Sequence, residues 1–160
     1  MSRYKLCPMI PVKYDSLMNT PKTRVLFLCT GNSCRSQMAE GWARHLGGDR
    51  VAASSAGIEA HGQNPRAVQV MREAGIDIST QQSRRLTPEM LAQADWIITV
   101  CGHADEHCPV LPAGIKKLHW PLSDPAKEQG PEDEVMVVFR ASRDDIRRRV
   151  AGLLADLPGG

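Results

Sequence analysis

Two hydrophobic periods alternate along the chain. Val25–Leu28 is a continuous apolar run, and Met38, Ala39, Trp42, Ala43 and Leu46 then recur at helical spacing. A buried strand therefore feeds a helix that Gly47-Gly48 ends. Val51–Ser55 reads as a second strand, closed by Gly57. Asn64-Pro65 opens a helix with Ala67, Val68, Val70, Met71 and Ala74 on one face, stopping at Gly75. Thr87-Pro88-Glu89 starts a shorter one, with Met90, Leu91 and Ala94 inward. Trp96–Val100 is a strongly apolar strand ending at Cys101, Lys116–Trp120 can form a short fourth strand, and Pro121–Asp133 is proline-rich, charged and irregular. A last helix is expected from about Glu134 or Phe139 to Leu157, built on Ile146, Val150, Leu153 and Leu154 and stopped by Pro158-Gly159-Gly160.

Strands alternating with helices at these intervals, each strand apolar on both sides, predict an α/β three-layer sandwich around a four-stranded parallel sheet. Residues 1–22 lack periodicity and contain Pro8, Pro11 and Pro21, so they read as a flexible leader carrying a bystander Cys7. Residues 23–160 read as a single domain. Cys29 and Cys101 each follow the carboxyl end of a strand, the edge where open parallel sheets bind ligands.

Chemistry concentrates between the first strand and its helix. CTGNSCR places Cys29 six residues ahead of Arg35, wrapped between a strand end and a helix start. Backbone N–H groups of such a loop point inward and cradle an anion. A guanidinium can grip two oxygens of a tetrahedral oxyanion. The same positive field favours a thiolate at Cys29, and a thiolate is a nucleophile. Thr30, Gly31, Asn32, Ser33, Cys34, Arg35 and Ser36 are the candidate oxyanion-binding residues. Ser36 can either cap the helix or donate its hydroxyl to the Cys29 sulfur. The segment lacks the Gly-Lys-Ser/Thr ending of a nucleotide-binding loop.

Composition narrows the field. A net charge of +2 with interspersed signs and 4% aromatic residues give no basis for a nucleic-acid groove or a polybasic membrane patch. No apolar run reaches membrane-spanning length, and the first residues lack the apolar core of a secretion signal. Five cysteines, an odd number, argue against a paired extracellular framework, so a cytoplasmic location is expected. Cys101 and Cys108, with His103 and His107 between them, are the one group to test against the short repeated ligand spacing of a zinc site, and the thiolate chemistry beside them already explains the pair. His61, His103, His107 and His119 are all possible acid–base groups, but none sits on a segment the cradle needs, so they read as surface groups or as groups one contact removed from the site.

Taken with CGHADEHCP at Cys101–Pro109 and KKLHWPLSDPAK at Lys116–Lys127, the cradle resembles the thioredoxin-coupled arsenate reductases, which share the low-molecular-weight protein tyrosine phosphatase fold. The likeness runs from Thr23 to about Leu157. The phosphatases lack the cysteine pair and usually carry tyrosines after the Asp-Pro, where this chain has Ala126 and Lys127. The resemblance implies that Cys29 attacks arsenate, Arg35 and the loop bind the oxyanion, and Asp124 is the general acid. It implies that Asn32 and Ser36 shape the loop and support the thiolate, and that Cys101 and Cys108 form a redox relay. No bound cofactor is implied; thioredoxin, itself reduced by thioredoxin reductase and NADPH, is the external reductant, and phosphate or sulfate compete with arsenate. Chemistry agrees, since one cysteine can form the adduct but cannot supply a stable two-electron oxidised product. The loop between Cys101 and Cys108 would then refold during turnover.

Some members of that group bind potassium through side chains matching Asn32, Glu40, Ser55 and an aspartate. Arg84 stands at the aspartate's place, where a guanidinium repels a cation and can pair with Glu40 instead. Two other readings use the same residues: a phosphomonoesterase of the phosphatase type, and a non-enzymatic thiol protein that senses arsenic or redox state. The sensor would leave Arg35 and Asp124 without a role, because trivalent arsenic needs thiols and no oxyanion clamp.

Overall fold

In the computed structural model, which describes residues 21–158, the hydrophobic runs form a four-stranded sheet. The leader assigned to residues 1–22, with Cys7, falls almost wholly outside these residues. Strands β1 (Thr23–Cys29), β2 (Val51–Gly57), β3 (Trp96–Thr99) and β4 (Lys116–His119) lie in the order β2-β1-β3-β4, and every pairing is parallel. Central β1 is buried from Val25 to Cys29, which explains its unbroken apolar sequence. Edge strand β4 departs from the expectation of strands apolar on both sides, because all its residues are exposed. Its lysines suit an unpaired edge, and Lys116 sits 4.9 Å from the Trp96 ring centroid.

The helices are α1 (Arg35–Gly47), α2 (Pro65–Glu73), α3 (Pro88–Gln93), α4 (Gly102–Glu106) and α5 (Glu132–Asp156). Helices α1, α2 and α5 pack together, while α3 contacts β1 and α4 contacts β1 and β3. Val135, Phe139, Ile146, Val150 and Leu153 of α5 are buried. That helix begins earlier than its apolar face suggests: Pro131 precedes it, and Glu132, Asp133 and Glu134 occupy its first turn, where carboxylates complement the helix dipole. The irregular stretch also holds a 3₁₀ turn at Pro125–Lys127. Helix α4 stands where the sequence, lacking apolar periodicity, predicts a loop; Thr99 and Lys117 hold Asp105 in its first turn, at 3.1 Å and 2.8 Å.

Chain direction positions the site. From β1 the chain moves to β2 on one side, then crosses β1 to build β3 on the other. The crevice between β1 and β3 is thus the switch point at which the strand order reverses, where doubly wound sheets take ligands. Leu28 pairs with Thr99, so the residues after each strand, Cys29-Thr30 and Val100-Cys101, emerge side by side.

Candidate active site

The loop from Cys29 to Cys34 turns its carbonyls away from the cleft. Ile58, Glu59, His61 and Asn64 donate backbone N–H groups to the carbonyls of Cys29, Thr30, Gly31 and Ser33 at 2.8–3.1 Å. Gln37 Nε2 donates to the Asn32 carbonyl at 3.1 Å, and the Met38 N–H to that of Cys34 at 3.0 Å. With every carbonyl from Cys29 to Cys34 bonded, the loop N–H groups are left for the nucleophile and an anion. Residues 58–64 extend the β1–β2 ladder past Gly57, and this is what holds the cradle. The close approach requires glycine there: a Cβ at Gly57 would collide with the Glu59 carbonyl and lie 2.7 Å from the Asn32 nitrogen.

The Cys29 sulfur accepts the Asn32 backbone N–H at 3.1 Å and lies 2.8 Å from the Ser36 hydroxyl. Ser36 makes no helix cap, so of its two candidate roles the structure places it against the sulfur. Asn32 is fully buried and takes a left-handed φ of 48°, which asparagine tolerates. Its Nδ2 donates to Ser36 and Ser55 at 2.9 Å each, and its Oδ1 accepts the Arg84 N–H at 2.8 Å. Asn32 and Ser36 therefore stand behind the sulfur, whereas Thr30, Gly31, Ser33, Cys34 and Arg35 line the cleft.

That cleft encloses about 740 Å³ and is lined also by Cys29, Cys101 and Asp124. Arg35 is held by the carbonyls of Val100 and Leu122 at 3.5 Å and 2.9 Å, and lies 3.5 Å from Asp124. Trp120, its ring tilted against Phe27 with centroids 5.9 Å apart and its backbone N–H donated to the Thr99 carbonyl, brings the following segment back across the sheet end. Asp124 is both a turn residue and a partner of the arginine: Oδ1 accepts the Ala126 N–H at 3.0 Å while Oδ2 faces Arg35. Burial, helped by the Asp124 charge, pushes the Cys34 thiol far up, so it stays protonated and unreactive.

Cys101 reaches the same cleft. Its sulfur lies 3.3 Å from the Thr30 hydroxyl and accepts the Ala104 N–H at 3.4 Å. Cys108 does not line the cleft; it follows α4, half-buried, and burial raises its thiol against the opposing charge of Lys117. All four cysteines among the described residues are free.

Two histidines correct the sequence reading. His61 and His103 line the cleft mouth, and His61 belongs to the very segment that holds the loop, with its ring against Gly31. His103 Nδ1 lies 3.2 Å from the Thr30 hydroxyl. Nothing in the spacing of the histidines signals this, because His61 depends on β2 running on past the sheet and His103 on the short helix α4. Lys127 also lines the mouth.

The cation site fares differently. Glu40 pairs with Arg44, one helical turn away, at 3.1 Å, and not with Arg84 as the sequence suggested. Burial raises its carboxyl despite the charges of Arg44 and Arg84 and a hydrogen bond with Ser55. With two guanidinium groups near Glu40 and the Asn32 Oδ1 engaged by the Arg84 N–H, the residues here do not fit a potassium ion.

Residues 24–159 match the family model of low molecular weight phosphotyrosine protein phosphatase. The chain is 54% identical over 129 residues to the arsenate reductase of Bacillus licheniformis, covering 81% of this chain and 93% of that one. It superposes on an arsenate reductase in the phosphate binding state with a TM-score of 0.67 and 36% identity, over 83% of this chain and 97% of the other. An arsenate reductase in the oxidized state gives 0.70 and 34%, over 83% and 97%.

Proposed function

The chain belongs to the low molecular weight phosphotyrosine protein phosphatase family, within its arsenate reductase branch, and from that membership we propose that it reduces arsenate to arsenite through Cys29, Cys101 and Cys108. The oxygens of arsenate bind the inward N–H groups of the loop and the Arg35 guanidinium. The Cys29 sulfur attacks arsenic, and Asp124 protonates the departing oxygen, which leaves as water. A Cys101 thiolate then attacks the Cys29 sulfur. The electron pair of the S–As bond passes to arsenic, arsenite departs, and the two sulfurs, oxidised by two electrons, are joined as a disulfide. Cys108 attacks Cys101 in turn, releasing the Cys29 thiolate and leaving a Cys101–Cys108 disulfide for thioredoxin to reduce. Helix α4 lies between these two cysteines, so this transfer requires that short helix to unwind until the Cβ atoms approach to roughly 4 Å.

The observation that carries the reading is the second thiol. A phosphatase needs Cys29, Arg35 and Asp124 alone, whereas here Cys101 lines the same cleft. Phosphate and sulfate, with the shape and charge of arsenate, are expected competitors. No helix among the described residues is long and apolar enough to cross a membrane, and free thiols suit a reducing compartment, so we place the enzyme in the cytoplasm.

The test is arsenate turnover with thioredoxin, thioredoxin reductase and NADPH, beside glutaredoxin with glutathione. Arsenite should accumulate in the first arm. Turnover confined to the second would overturn the thioredoxin assignment, and no arsenite in either would overturn the reductase.

A further inference from the structure

We propose that His103 takes up the proton of the Cys101 thiol, passed along the Thr30 hydroxyl that bonds it, making His103 a positioning residue that readies the second thiol of the relay. The inference deepens the reductase reading and rests on it for its place in the reaction. Its geometry is a continuous line: Cys101 Sγ to Thr30 Oγ1 is 3.3 Å, and Thr30 Oγ1 to His103 Nδ1 is 3.2 Å. The line arises from the sheet, because Thr30 and Cys101 follow adjacent strands and His103 stands in the only turn of α4.

The same three atoms serve before and after transfer. With a neutral imidazole protonated at Nε2, the thiol donates to the Thr30 oxygen and the Thr30 hydroxyl donates to Nδ1. After transfer, Nδ1–H donates to Thr30 and Thr30 donates to the thiolate, which also keeps the Ala104 N–H at 3.4 Å. No atom has to move far. His103 is exposed, so the proton can pass on to solvent or to the departing arsenite. Glu59, hydrogen-bonded to His61, lies near enough to favour His103 once the ring carries the proton, and the His107 ring lies 4.1 Å away on the other side.

In the reacting complex the thiol S–H bond breaks and its proton enters the line while His103 gains one at Nδ1. The freed sulfur pair forms the S–S bond to Cys29, the S–As pair leaves with arsenic, and arsenic(V) becomes arsenic(III). No reagent beyond the adduct is needed.

Iodoacetamide alkylation of Cys101, followed by mass spectrometry at neutral pH in a Cys29→Ser background, isolates this step from turnover. His103→Gln and Thr30→Val should each slow alkylation about tenfold or more, as expected for losing a hydrogen bond to a charged group. Thr30→Ser, which keeps the hydroxyl, should hold the parent rate. In His103→Ala, added imidazole should restore much of the rate, which a structural role for the ring would not allow. Parent-rate alkylation in His103→Gln or Thr30→Val, a slow Thr30→Ser, or no response to imidazole would each overturn the proposal. Single-turnover arsenite release with Cys29 intact separates the two readings. Intact alkylation effects without any arsenite would sink the reductase alone, and unchanged arsenite release in His103→Gln would sink the role of His103 alone.

Discussion

Replacing Asn32 with alanine would test whether the cradle is held from behind. The substitution removes the donors to Ser36 and Ser55 and the acceptor of the Arg84 N–H, all at a residue with no solvent exposure. Each such loss costs about 1 kcal/mol. Alanine at the left-handed φ of 48° adds about 1 kcal/mol more. The sum is about 4 kcal/mol, which lowers the melting temperature of a domain this size by roughly 8–16 °C. Asn32→Gly keeps the lost hydrogen bonds lost but relieves the backbone, so it should recover about 1 kcal/mol of the deficit. Thermal denaturation followed by circular dichroism measures both. A fall of less than about 3 °C in Asn32→Ala would refute the reasoning, as would a glycine variant no more stable than the alanine one.

Three further outcomes follow from buried charge and burial. Because burial raises the Glu40 carboxyl above its ordinary value of 4.5, its contribution to stability is fully present below that value and is lost as pH rises through the raised one. The melting temperature of the parent minus that of Glu40→Gln should therefore decline from about pH 4 upward; a difference that grows with pH would contradict this. Potassium and tetramethylammonium salts at equal ionic strength should give the same melting temperature and activity, and a specific gain with potassium would show that the arginines near Glu40 do not exclude the ion. Cys34, kept protonated by burial, should resist iodoacetamide in the folded chain, and peptide mapping that finds it labelled alongside Cys29 would contradict its assignment as inert.

The cradle was legible because its parts are local. A strand, a cysteine, an arginine six residues on and a helix fix one another in a single stretch of chain, so the sequence alone places Cys29 and Arg35 in one site. Cys101 was legible for a related reason, since ending an apolar strand puts a residue at the sheet rim. What could not be read was held by distant backbone. The carbonyls of the loop are bonded by Ile58–Asn64, a segment without regular periodicity, and that bonding brings His61 to the cleft. The place of His103 at the cleft is not legible in the sequence, because α4 is too short for a hydrophobic period and is fixed by Asp105 contacts with Thr99 and Lys117. The resemblance points Arg84 at Glu40, whereas ordinary i,i+4 helix spacing supplies Arg44 as its partner. Helix α5 starts before its apolar face because its first turn is chosen for charge rather than burial.

The most direct test of the three-cysteine mechanism is a single-turnover reaction of the Cys108→Ser variant with arsenate, read by arsenite yield and by mass-spectrometric mapping of the disulfides. One arsenite per chain should appear, and the protein should stop with Cys29 joined to Cys101. Sustained turnover of this variant with thioredoxin, or arsenite formed without a Cys29–Cys101 disulfide, would contradict the mechanism.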